Sequence, residues 1–135
     1  MRFRMCMALL LLTGWAVAAP APEAAAQEVA RAWLVLVDGG NYADSWTQAA
    51  TLFRDNVTQA QWQSAAESAR GPVGALKARQ VQSATFRRDL PGAPDGEYVV
   101  IQFASAFRGK ASALETVTVM KDRDGSWRVA GYYLK

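Results

Sequence analysis

Histidine is absent from this 135-residue chain and cysteine occurs once, at Cys6. Without histidine there is no ordinary general base near neutral pH, no imidazole ligand for a metal, and no Ser-His-Asp or Cys-His relay. A hydrolase built on those groups is excluded, and so is a structural zinc site. Charge of one sign is lacking too: 15 basic residues face 12 acidic ones, a balance too even to point to nucleic acid or a membrane surface. The longest apolar stretch falls well short of the ~20 residues of a membrane span. No internal repeat is present, and nothing implies a cofactor.

Apolar residues make up 51% of the chain and charged ones 20%, so a packed core is expected rather than disorder. Arg2 and Arg4 precede an apolar segment from Met5 to Val17, and small residues follow. That order is the pattern of a secretory signal peptide. Both Ala16-Val17-Ala18 and Ala24-Ala25-Ala26 fit the small-x-small cleavage rule, and residues 1–26 are read as leader and cleavage region. Export, removal of the leader and a periplasmic or secreted location without stable membrane insertion are expected. Cys6 would leave with the leader, so the mature chain would carry no thiol and form no disulfide.

Residues 27–135 read as a single domain, of a length that suits one core. Val29, Trp33, Leu36 and Val37 recur on one helical face and Gly39-Gly40 ends the pattern. Asn41 is a plausible N-cap for a second helix with Tyr42, Trp46, Ala49, Ala50 and Phe53 on one stripe. Thr58 and Gln61 form a capping-box pair ahead of a third helix with Trp62, Ala65, Ala66 and Ala69, stopped by Gly71-Pro72.

From Lys77 the period becomes extended. Four strands are expected, Arg79 to Arg88, Glu97 to Phe107, Ala113 to Lys121 and Ser126 to Leu134, with turns at 91–96, 108–110 and Asp124-Gly125. Val99, Ile101, Phe103, Phe107, Val117, Val119, Trp127 and Val129 alternate onto the core side, and Tyr98 and Val100 onto the other. The fold class is α+β: three N-terminal helices packed on a curved four-stranded antiparallel meander. Such a curved sheet often leaves a pocket.

Several segments together resemble the bacterial domain-of-unknown-function family 4019, whose members are mostly small exported proteins. They are Ala32-Trp33-Leu34, the run from Val37 to Trp46, Arg70-Gly71-Pro72-Val73-Gly74, the run from Leu90 to Tyr98, and the run from Gly125 to Tyr133. Val73 stands where the resemblance leads one to expect Leu, a difference of packing rather than chemistry. The order of elements also resembles the nuclear-transport-factor-2-like, or cystatin-like, class. That class contains enzymes, binders and scaffolds alike, so the resemblance implies no particular activity.

Among individual residues, Glu115 is in phase with Val117 and Val119, on the face assigned to the interior. A carboxylate there can serve as a proton carrier, with Tyr98 or Tyr132 as hydrogen-bond donor, in the manner of acid-base isomerases and dehydratases of this fold class. Its structural alternative is an ion pair with an Arg, or contact with solvent near the strand's start. Arg70 can clamp a ligand carboxylate or satisfy the last carbonyls of its helix. Trp46, with Trp33, Trp62 and Trp127, fits either a ligand cage or core packing, and its place on an apolar stripe favours the core. Tyr132 and Tyr133 face opposite ways, and Gly131 beside them suggests a bulge or bend. Asp122 and Asp124 could bind Ca²⁺ only without the Gly and distal Glu of a Ca²⁺ loop, so a hairpin turn is the simpler reading.

The expected function is a non-enzymatic module that uses the open face of its sheet to bind a small apolar ligand, a peptide or an envelope protein. The acid-base enzyme is one alternative, and a homodimer or scaffold another.

Overall fold

A computed structural model describes residues 14–15 and 20–135. The leader segment and Cys6 lie outside the described residues for the most part, and the cleavage motif at 16–18 does so entirely. Helix α1 runs Pro22–Asp38, α2 Tyr42–Thr47, α3 Thr51–Asn56 and α4 Gln59–Arg70. The strands are β1 Leu76–Arg87, β2 Tyr98–Phe107, β3 Lys110–Lys121 and β4 Trp127–Leu134. They form one antiparallel sheet in the order β1-β2-β3-β4, the meander expected, with β2 and β3 central.

Two helical expectations need correction. Helix α1 starts at Pro22 inside the Ala/Pro-rich stretch: proline is pre-set for a first helical turn and has no N–H to leave unpaired. Ala26 and Ala30 then join Trp33, Leu34 and Val37 on the buried face. There are also four helices rather than three, because the second breaks at Gln48–Ala50. The Ala50 N–H bonds the Val129 carbonyl of β4 at 2.7 Å, and a tertiary bond has replaced a helical one. The apolar stripe survives the break, since Ala49, Ala50 and Phe53 stay buried.

Helix α4 has the expected capping box, with Thr58 and Gln61 each bonding the other's backbone N–H. Its inward stripe differs in one place: Ala65 is exposed, and the buried series runs Trp62, Ala66, Arg70. At the N-terminus of α2, Asn41 holds the N-cap position but makes no side-chain cap bond.

The core lies between this helical layer and one sheet face. Val99, Ile101, Phe103, Val117, Val119 and Val129 supply the sheet side, none with measurable exposure; burial of each such side chain contributes about 1.5–3 kcal/mol. Phe107 packs separately with Val73 and Ala113. Phe53, Trp62, Trp33 and Tyr132 stack in a chain of aromatic contacts with centroids 5.3–6.1 Å apart. These rings fill the middle of the space beneath the sheet, and a cleft on that side lies at its margin, between α1 and β4, lined by Trp33, Trp127 and Val129.

Both edge strands are irregular. Register shifts fall at Lys77 and Gln82 in β1 and at Ala130 in β4. Such bulges bend an edge and interrupt its row of free backbone groups, which discourages pairing with another chain. Gly109, in the β2–β3 turn, lies where its N–H reaches the Val73 carbonyl at 2.7 Å.

Candidate functional site

Helices α1 and α4 finish over the same end of the sheet, and each finishes on a charged residue, Asp38 and Arg70. A carboxylate at a helix C-terminus opposes the helix dipole, so Asp38 needs a tertiary partner. It has two. Arg70 Nη2 donates to Asp38 Oδ1 at 2.8 Å, and Arg79 of β1 donates from Nη1 and Nη2 to Oδ2 and Oδ1 at 2.8 and 2.9 Å. The second contact is the bidentate fork that guanidinium and carboxylate planes allow.

Arg79 also reaches inward. Its Nε donates to Glu115 Oε1 at 2.8 Å, and Ser105 Oγ donates to the same oxygen at 2.6 Å. The Tyr132 hydroxyl donates to the other oxygen, Oε2. Glu115 has no exposure at all, yet both carboxylate oxygens are satisfied, which is the condition for burying such a group at tolerable cost. Each of the four strands gives the cluster one residue, and two helix ends close it.

The electrostatics follow from burial and pairing. Burial acts to raise the Asp38 carboxyl, but hydrogen bonds from Arg79 and Arg70 outweigh it and hold the group below its ordinary value of 3.8. Burial acts to lower Arg79, and its bonds to Asp38 and Glu115 more than reverse that. Tyr132 is pushed far above its ordinary 10, first by burial and then by the neighbouring Glu115 charge. Arg70 is 6% exposed; its guanidinium lies 4.7 Å from the Phe107 ring centroid, a cation–π contact. Its Nε and Nη1 have no hydrogen-bond partner among the described residues.

Of the residues singled out in the sequence, the structure brings together Glu115, Arg70 and Tyr132. Tyr98 is apart from them, buried under the loop before β2, where its hydroxyl donates to the Pro94 carbonyl. Burial, with Asp95 nearby, raises its pKa. Trp46 packs on the main core and donates from Nε1 to the Val57 carbonyl at 2.7 Å. Trp33 and Trp62 both use Ser45, through its carbonyl and its Oγ, each at 2.8 Å. These are core tryptophans with their single donor satisfied.

Asp38, Arg79 and Ser105 were missed by the sequence reading. Asp38 had a signal, a carboxylate ending an apolar helix; Arg79 had one in its phase with Val81 on β1.

The family model of DUF4019, described as a protein of unknown function, matches residues 29–132. The chain belongs to that family. The matched span holds every residue of the polar cluster and ends on Tyr132. A search of curated proteins finds no match. A DUF4019 chain thus carries, in this instance, a largely buried cluster: Ser105 borders a shallow cleft with Ala78, Gln80 and Ala113, while other clefts are lined by residues outside the cluster, such as Trp33, Trp127 and Arg128 between α1 and β4, or Ser83, Thr85 and Val100 on the outer sheet face.

The Asp122–Asp124 pair is taken up internally. Asp122 accepts from the Thr51 backbone and hydroxyl at 2.9 and 3.1 Å, from the Arg123 N–H and from Arg128. Asp124 accepts from both Arg128 Nη atoms. Among the described residues no group of three or more potential ligands converges on a point, and no helix is long and apolar enough to cross a membrane.

Proposed function

We propose that this DUF4019 protein is exported and works outside the cytoplasm as a non-enzymatic binding module, offering the uncovered face of its sheet to a peptide or an envelope protein. The observation that carries the reading is the contrast between the two sheet faces. The helix-covered side is occupied by core and by the satisfied cluster, apart from the cleft between α1 and β4. The opposite side presents Val100, Gln102, Thr116, Thr118 and Met120 in adjoining rows, each only half-buried, with Tyr133 63% exposed on β4. A mixed apolar and hydroxyl surface of this kind suits protein contact more than a small apolar ligand, which needs a concave, enclosing site. The bulged edges steer association toward the face rather than the rim.

Native mass spectrometry of the mature protein recovered from its compartment tests this, with the charge-bearing outer-face variant Thr118→Glu beside it. A partner mass that the variant loses supports the reading, and a doubled mass without a partner replaces it with the homodimer. A bare monomer from both samples overturns it.

One contact favours a second reading. Tyr132 donating to a fully buried Glu115 is the pairing that an acid-base isomerase would use, with Glu115 as proton carrier. It requires the cluster to open to a substrate, and hydrogen exchange that finds β3 and β4 protected to the global limit would remove it.

A further inference from the structure

Of the small-x-small matches that follow the apolar segment, Ala16-Val17-Ala18 lies outside the described residues and Ala24-Ala25-Ala26 lies within them. Ala24-Ala25-Ala26 lies wholly within α1. The Ala24 and Ala25 N–H groups bond the Ala21 carbonyl at 3.0 and 3.1 Å, which closes the first turn. Pro22 occupies the opening of that turn and Glu23 supplies the negative charge its dipole favours. Ala26 is fully buried and belongs to the main core with Ala30, Trp33 and Leu34. A cut after Ala26 would discard the proline start, the acidic first turn and one core residue. It would also set a new α-ammonium at Gln27, at the helix end where positive charge is unfavourable.

Resting on the export reading above, we infer that processing spares the helix: the leader is removed ahead of Pro22, and Pro22–Ala26 belongs to the mature folded protein. The internal alanine triplet is a core and turn element that matches the peptidase pattern only because small residues suit both tasks. A peptidase reads the chain before it folds, so the helix does not shield the triplet. What disfavours a cut there is the folded protein's need for Pro22–Ala26. The mature chain then keeps Glu23 and Glu28, and 13 basic residues face 12 acidic ones once Arg2 and Arg4 are gone.

The full-length precursor is expressed with its leader, and the exported product is measured by intact mass and N-terminal sequencing. Its companion is Ala24→Asp, which breaks the triplet at its first position. Ala24 is exposed in the first turn, where an acid is tolerated, so the variant is expected to fold with an unchanged melting temperature. The expected result is a first residue at or ahead of Pro22 in the wild type, and a variant processed to the same extent whose mature mass carries the substitution. A first residue at Glu23 or beyond, or precursor accumulating in Ala24→Asp alone, overturns the inference. An intact chain beginning at Met1 in both samples instead overturns the export reading on which it rests.

Discussion

Tyr132 meets Glu115 because β4 carries an extra residue, Ala130, between Val129 and Tyr132. Val129 pairs with Val119 and Gly131 with Thr118, so the register slips by one residue between them. Strict alternation from Val129 would have turned Tyr133 inward. The bulge turns Tyr132 in instead, opposite Val117 and within reach of Glu115, and leaves Tyr133 on the outer face. The carbonyl of Val129, just before the bulge, is the one that Ala50 caps when the second helix breaks.

Removing the Glu115 side chain leaves Arg79, Ser105 and Tyr132 without their common acceptor inside the protein. Glu115→Ala is expected to cost about 3–5 kcal/mol, the range for an ion pair broken on one side in a buried site. Glu115→Gln keeps the shape and one acceptor oxygen and should cost less. Urea titrations of the two variants check the order.

Tyr132→Phe retains the stacking on Trp33 and Trp62 and loses only the hydroxyl. A loss of about 1.5–3 kcal/mol is expected, the range for a hydrogen bond to a charged group. The same variant has an optical signature. The chain has four tyrosines, and Tyr132 is shifted far upward, so alkaline titration of phenolate absorbance should lose its last-titrating component in Tyr132→Phe.

The raised phenol also sets the alkaline limit of stability. Its folded pKa lies above its unfolded value near 10, so the folded state holds the proton more tightly. The stabilisation is complete below pH 10 and is lost as pH rises through the interval above it. Unfolding free energies of wild type and Tyr132→Phe, measured across that interval, should converge.

At the acid end the sign reverses. Asp38 and Asp122 are both held below 3.8; for Asp122 burial opposes the shift, and bonds from Thr51, Arg123 and Arg128 prevail. Their contribution is present above the unfolded pKa and fades as pH falls below about 4 through the folded values. Asp38→Asn is expected to be less stable at pH 7 and to show a flatter decline between pH 4 and 2. Parallel curves for variant and wild type would contradict the pairing.

Gly109 has no room for a side chain. An added Cβ would stand 2.7 Å from the Pro72 carbonyl and 3.0 Å from that of Val73, both backbone atoms that cannot swing aside. Gly109→Ala is expected to cost about 1–3 kcal/mol through forced backbone displacement. Thermal melts would reveal the loss directly.

Much of the architecture was legible along the chain. Trp33 and Val37, the Thr58–Gln61 box and the alternation from Val99 to Phe103 each depend on neighbours within a turn or a strand, and each took the form its spacing implied. Glu115 was legible as inward-facing for the same reason. The early start of α1 was obscured because an alanine- and proline-rich stretch suits a cleavage region and a helical first turn equally well.

Local periodicity and composition are enough for the α+β order, the inner face of each central strand and the residue types from which any chemistry must be made. Tertiary structure alone decided where the second helix breaks, which tyrosine turns inward and which arginines answer Asp38 and Glu115. Those outcomes depend on register between strands and on contacts 32 and 36 residues apart in the chain. A period-2 pattern is silent about a bulge, because one inserted residue reverses the phase of everything beyond it.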